Sequence, residues 1–102
     1  MLTEKDYCDK DTAFALQELG YYPYMFYEDG TPAIHLWYAQ KWLREEKKLH
    51  ITIFSQSQES WQYRITKPHQ RLEDGLHGED FSSFEEALSE CIKAAVKILK
   101  EK

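Results

Sequence analysis

Cysteine, proline and glycine are all scarce here, with two, three and four copies in 102 residues. Cys8 and Cys91 cannot make a disulfide framework, and no Cys-x-x-Cys occurs. Both thiols are expected to be free, which suits a reducing, cytoplasmic setting. Gly20, Gly30, Gly75 and Gly78 are dispersed, so there is no glycine-rich loop to cradle a phosphate. No apolar run approaches the roughly 18 residues that span a bilayer. The opening MLTEKDYCDKD is acidic and lacks the apolar core of a signal peptide, so none is expected. There is no His-Glu-x-x-His, and no Gly-x-Ser-x-Gly surrounds Ser82 or Ser83.

What the chain has in excess is aromatic surface. Aromatics make up 15% of the residues, and seven of them are tyrosines. Tyr and Trp are amphipathic and serve equally at a core edge or on a binding surface. The length fits a single domain over residues 1–102. The net charge of −5 is unevenly spread. Residues 1–33 hold two basic and seven acidic side chains, residues 34–67 six and three, and residues 68–102 five and eight. An acidic balance argues against non-specific nucleic-acid binding, which is driven by neutralising phosphates.

The periodicities predict an α+β domain in the order α-β-α-β-β-α. A first helix ends at Leu19 before Gly20, a good residue for a left-handed cap, with Thr3, Asp6, Asp9 or Asp11 at its start. On its wheel Cys8, Thr12, Ala15, Leu16 and Leu19 share one side, and Tyr7 and Phe14 lie opposite. Tyr21–Tyr27 suits a strand by aromatic content, although Pro23 confines its start to an edge or entry position. Glu28–Pro32 is turn chemistry, after which Ala33 and Ile34 can pair back as a short arm. A central helix from about His35 to Lys48 buries Leu36, Ala39 and Leu43, flanked by Tyr38 and Trp42. Trp37 falls on its polar arc with Lys41, Arg44, Glu45 and Lys48. His50–Phe54 and Trp61–Lys67 read as an antiparallel hairpin joined by the polar Ser55–Ser60. Alternation puts Trp61, Tyr63 and Ile65 on the buried face, and Thr52, Gln62, Arg64 and Thr66 on the wet one. Pro68–Asp80 reads as an irregular loop. The last helix opens with two overlapping capping signals, Ser82 with Glu85 and Ser83 with Glu86. It turns Phe84, Ala87, Leu88, Cys91, Ile92, Ala95, Ile98 and Leu99 inward. The expected architecture is a small two-layer domain, a three-stranded, mainly antiparallel sheet with helices on one face.

Chemistry-bearing residues are few. The stretch from His69 to Asp80 contains His69, Glu73, Asp74, His77, Glu79 and Asp80, which are metal-ligating types without a metal-binding spacing. His35 and His50 bracket the central helix, about 21 Å apart if it has 14 residues, so they cannot share a site. Cys91 sits mid-face on the last helix as a small core hydrophobe. Cys8, near a helix start, is placed where a thiol pKa can fall, but it has no base partner. No catalytic residue, cofactor or metal is assigned, and the chain is expected not to be an enzyme. The expected function is protein–protein contact, with another protein or a second copy, through Tyr21, Tyr22, Tyr24, Phe26, Tyr27 and Trp37. The alternative is a nucleic-acid-associated accessory protein using Lys41, Arg44, Lys48 and Arg64. No membrane role is expected.

Four pieces carry a resemblance: Ala15–Tyr21, Ala39–Ile51, Trp61–Ile65 and Phe81–Leu88. Together they resemble a set of small uncharacterised proteins of gut anaerobic bacteria and their prophages. The resemblance implies an accessory protein of a mobile element, with no catalytic residues to carry over.

Overall fold

The computed structural model describes residues 6–57, 60–67, 70–74 and 81–101. The chain is α+β. Its order is α1 (Lys10–Glu18), α2 (Leu36–Glu46), β1 (His50–Ser57), β2 (Ser60–Lys67), β3 (Gln70–Asp74) and α3 (Phe84–Lys100). β1 and β2 run antiparallel in the register His50 to Thr66 through Ser55 to Trp61, as the hairpin pattern predicts. The strands extend further into Ser55–Ser60 than expected, because that polar stretch still pairs at Ser57 and Ser60 after a register shift.

The element order differs from expectation in two places. Tyr21–Tyr27 is not a strand of the sheet. It is an irregular, largely extended segment whose only ladder contact among the described residues is an isolated bridge from Phe26 to Pro32. Proline cannot donate to a ladder, and here one lies in the segment at Pro23 and another opposite it at Pro32. What pairing remains is local: Ala33 N–H donates to Met25 O at 2.9 Å, and Tyr27 N–H to Thr31 O at 2.8 Å. Ala33 therefore does pair back, while Ile34 O accepts from Cys8 N–H at 2.8 Å. The second departure lies in the stretch read as a loop. Its residues 70–74 form β3, antiparallel to β2, while 68–69 and 75–80 lie outside the described residues. Most of the stretch from His69 to Asp80 considered for metal binding therefore also lies outside them.

α3 is the element around which the core closes. Its apolar stripe recurs at helical spacing, and Ala87, Leu88, Cys91, Ile92 and Ala95 are fully buried. It packs on β1, β2, α1 and α2. Trp61 meets the Phe84 ring edge-on at 5.7 Å, and Tyr63 stacks on Phe81 at 6.0 Å. Ile51, Ile53, Tyr63 and Ile65 complete this face. The opposite sheet face is less wet than alternation implies. Gln62 is buried, and the Arg64 guanidinium lies 5.5 Å above the Phe54 ring. Phe54 is the cross-strand neighbour of Gln62, so its ring and Arg64 bracket that residue.

The helix ends are set by recognisable chemistry. Asp9 caps α1 by accepting from Thr12 N–H at 2.9 Å. α1 stops in a Schellman motif: Tyr21 N–H bonds Leu16 O, Gly20 N–H bonds Gln17 O, and Gly20 takes φ +113°. Ser83 caps α3, accepting from Glu86 N–H at 3.1 Å, and the Ser82 hydroxyl donates to the Glu86 carboxylate at 2.8 Å. The two overlapping signals in the sequence thus become one cap and one brace. α2 ends without glycine. Lys48 adopts φ +60° instead, and Leu49 N–H reaches back to Leu43 O at 3.0 Å.

Candidate functional site: an exposed aromatic face

The site is built where the N-terminal segment, the Tyr21–Ala33 arm and the start of α2 meet. α1 begins at Lys10, so Tyr7 and Cys8 precede the helix and follow their own path. Tyr7 bridges His35 in antiparallel fashion. That contact brings the rings of Tyr7 and His35 to 5.5 Å. From this pair the rings continue both ways. Tyr7 meets Tyr27 at 6.4 Å, while His35 meets Trp37 at 6.2 Å and Tyr38 at 5.8 Å, all edge-to-face. His35 is also the N-cap of α2, and its Nδ1 accepts from Trp37 N–H at 3.1 Å. Histidine is an unusual cap, and this bond fixes the imidazole in the middle of the ring cluster.

Exposure divides the expected partner-binding residues. Tyr22 is 87% exposed, Tyr24 94%, Phe26 55%, Tyr27 43% and Trp37 65%. Tyr21 is different. It is buried, with its ring edge-on to Trp42 at 5.6 Å, because the Schellman turn after α1 directs it onto α2. Burial, then the neighbouring Cys8, Tyr24 and Tyr38 groups, push its phenol above the ordinary tyrosine range. Tyr38, expected at the edge of the core, is 63% exposed. Trp42 takes the core position instead, with Lys47 over its ring at 5.4 Å. Tyr7, His35 and Tyr38 are thus parts of the face that the sequence did not reveal. The contact joining them spans residues 7 and 35, which no local periodicity reports.

The basic residues divide between two layers. Lys41, Arg44 and Lys48 are exposed on or just after α2, among Glu45 and Glu46, which are exposed too. The Lys48 ammonium donates to Glu45 O at 2.9 Å, bracing the helix end. Arg64 stands on the sheet's outer face, held at Phe54.

A cleft of about 640 Å³ opens beside the face, between the starts of α1 and α3 and the Tyr27–Thr31 turn. Several of its charged groups, Asp9, Asp29, Glu86, Glu90 and Lys93, are engaged in holding the fold. Lys93 bonds Asp9 at 2.9 Å and Glu90 at 3.3 Å. Partial burial pushes the Asp9 carboxyl up, but the Thr12 N–H and hydroxyl and Lys93 outweigh it and hold it below the usual carboxylate range. Asp29 is held low by bonds from the Thr31 hydroxyl and N–H. Cys8 borders this cleft but is buried, and burial, then Asp9, push its thiol up to about 12. The expected lowering by a helix start fails because Cys8 precedes the cap and packs into the core. Among the described residues, no three His, Cys, Asp or Glu side chains are grouped to hold a metal, and no helix is long and apolar enough to cross a membrane.

Fold and site together define a small α+β domain with a closed core on one side and an open aromatic face on the other. No protein family, curated protein or solved structure matches this chain.

Proposed function

We propose that this protein is a non-catalytic interaction module that binds a protein surface through its aromatic face. The observation that carries the reading is the exposure of Tyr22, Tyr24, Phe26, Tyr27, Trp37 and Tyr38, several of them joined by ring contacts through Tyr7 and His35. Large apolar side chains left in water are normal singly, whereas a run of them supports a partner site. Tyr and Trp are also the residues that dominate protein–protein hot spots. Trp37 has Lys41 one turn along α2, but Glu45 and Glu46 lie among the cations, which favours a protein over a phosphate backbone. The resemblance to mobile-element proteins of gut anaerobes suits an accessory role of this kind.

The test is affinity capture with the wild type and with the double variant Tyr24→Ala, Trp37→Ala. The expected result is loss of the specifically retained protein with the fold retained by circular dichroism. Full retention by the double variant would refute the reading.

A further inference from the structure

The face has a polarity along its length. At one end is the turn bearing Glu28 and Asp29, and Tyr27 links that turn through Tyr7 to His35. Trp37 and Tyr38 follow on α2. Lys41 and Arg44 continue along the same helix, Arg44 about 10 Å beyond Trp37 at 1.5 Å per residue. The far end holds Lys41, Arg44, Lys47 and Lys48 against Glu45 and Glu46, so the stripe runs from acidic through aromatic to net basic. A surface of that form is complementary to itself when turned through 180°, because each acidic end then meets the other copy's basic end. Stacked without the rotation, like charges coincide.

From this pattern we infer that the occupant of the aromatic face is a second copy of this chain, docked about a two-fold axis that passes near His35. The inference rests on the reading of that face as an interaction surface and names its partner. The total exposed aromatic area is of the order that an interface uses. Taking about 150–250 Å² for a fully exposed aromatic side chain, six of them at 43–94% exposure offer roughly 600–1,000 Å². A standard interface takes about 800 Å² from each partner. Closure is also intrinsic to the geometry: a two-fold contact uses the face once in each copy, so assembly stops at the dimer.

Sedimentation velocity on the whole chain tests this. The expected species is a dimer at low salt that dissociates in Trp37→Ala, a substitution at an exposed position whose retained fold circular dichroism verifies. Glu28→Lys alone and Arg44→Glu alone should each weaken the dimer by about tenfold or more, since each sets like charges together. Combined, they should restore it to within about threefold of the wild type, as coupled partners do. A monomer at every loading up to about 1 mM, an unaltered dimer in Trp37→Ala, or no rescue in the double charge variant overturns the inference. A monomeric wild type whose captured partner still depends on Tyr24 and Trp37 would overturn the second-copy assignment and leave the interaction module standing.

Discussion

The two sides of this domain dispose of apolar side chains in opposite ways. Along α3, Leu88, Cys91, Ile92 and Ala95 reach full burial at i, i+3, i+4 and i+7, and each touches the rest of the core. Along the arm and the first turn of α2, residues just as large stay in water, Tyr24 at 94% and Trp37 at 65%. The two regions are not separate modules. Tyr21 lies in the core while Tyr22 and Tyr24 in the same segment project out, and Leu36 is buried beside the exposed Trp37. Adjacent residues of one chain thus serve two surfaces. The core half is occupied by its own chain, and the aromatic half is tied to it by a cap and ring contacts at Tyr7, Tyr27, His35, Trp37 and Tyr38 while its outward side remains open.

Truncation should separate the two halves most sharply. Leu88→Ala is expected to cost about 2–5 kcal/mol, since a fully buried leucine loses both its transfer energy and the packing around the void. Trp37→Ala, which removes a larger side chain, should stay within about 0.5 kcal/mol when measured at a loading where the chain is monomeric, because that side chain is mostly solvated in the single chain. Chemical denaturation of both variants checks the contrast, and equal losses would break the division into a closed and an open half.

Asp9 gives a smaller effect, at the seam between α1 and α3. Asp9→Ala removes a helix cap and the partner of Lys93, and should cost roughly 1–2 kcal/mol. Asp9→Asn can retain the cap and lose only the charge, so its loss should be at most about 1 kcal/mol, because the ion pair is half-exposed. The folded state holds this carboxyl below its usual pKa, so the charge stabilises the fold above the unfolded value and that contribution fades as pH falls through the folded one. The stability gap between wild type and Asp9→Asn should therefore be constant near neutrality and close below about pH 4. A gap that widened on acidification would contradict the geometry.

The smallest expected change is a gain. Lys48 occupies a left-handed backbone position that disfavours a side chain, so Lys48→Gly should stabilise by up to about 1 kcal/mol, a rise in melting temperature of a few degrees. Loss of the Lys48 bond to Glu45 O, which lies on an exposed helix end, offsets only part of it.

Much of the core half was legible from residue order. The last helix has a regular apolar stripe, a serine cap and acids in its first turn, all local signals that agree with one another. The β1–β2 hairpin was legible for the same reason, since strict alternation admits only one pairing that buries Ile51, Ile53, Tyr63 and Ile65 together. The aromatic arm was not. Its composition favours a strand, but strand formation also needs a free partner edge, and Pro23 and Pro32 leave it only the short pairing within residues 25–33. That Trp37 is exposed followed from its place on the polar arc of the helix wheel. That Tyr7, His35 and Tyr38 join it did not, because the contact between Tyr7 and His35 depends on the tertiary path of the chain. Likewise β3 follows a proline in a glycine-bearing stretch whose pairing with β2 has no alternating apolar pattern to announce it.

The position of α3 in the chain bears on how the protein is made. Residues 84–100 are translated after every other described element, yet they cover the inward faces of α1, α2, β1 and β2. A nascent chain that has not yet released α3 from the ribosome can form the β1–β2 hairpin and the Tyr7–His35 clasp, but it leaves the inner side of both helices wet. During that interval the arm's tyrosines and the uncovered core side chains face the solvent together. Only the arrival of Leu88, Ile92 and Ala95 separates what is to be hidden from what is to be shown, so the core of this fold closes only once α3 has emerged.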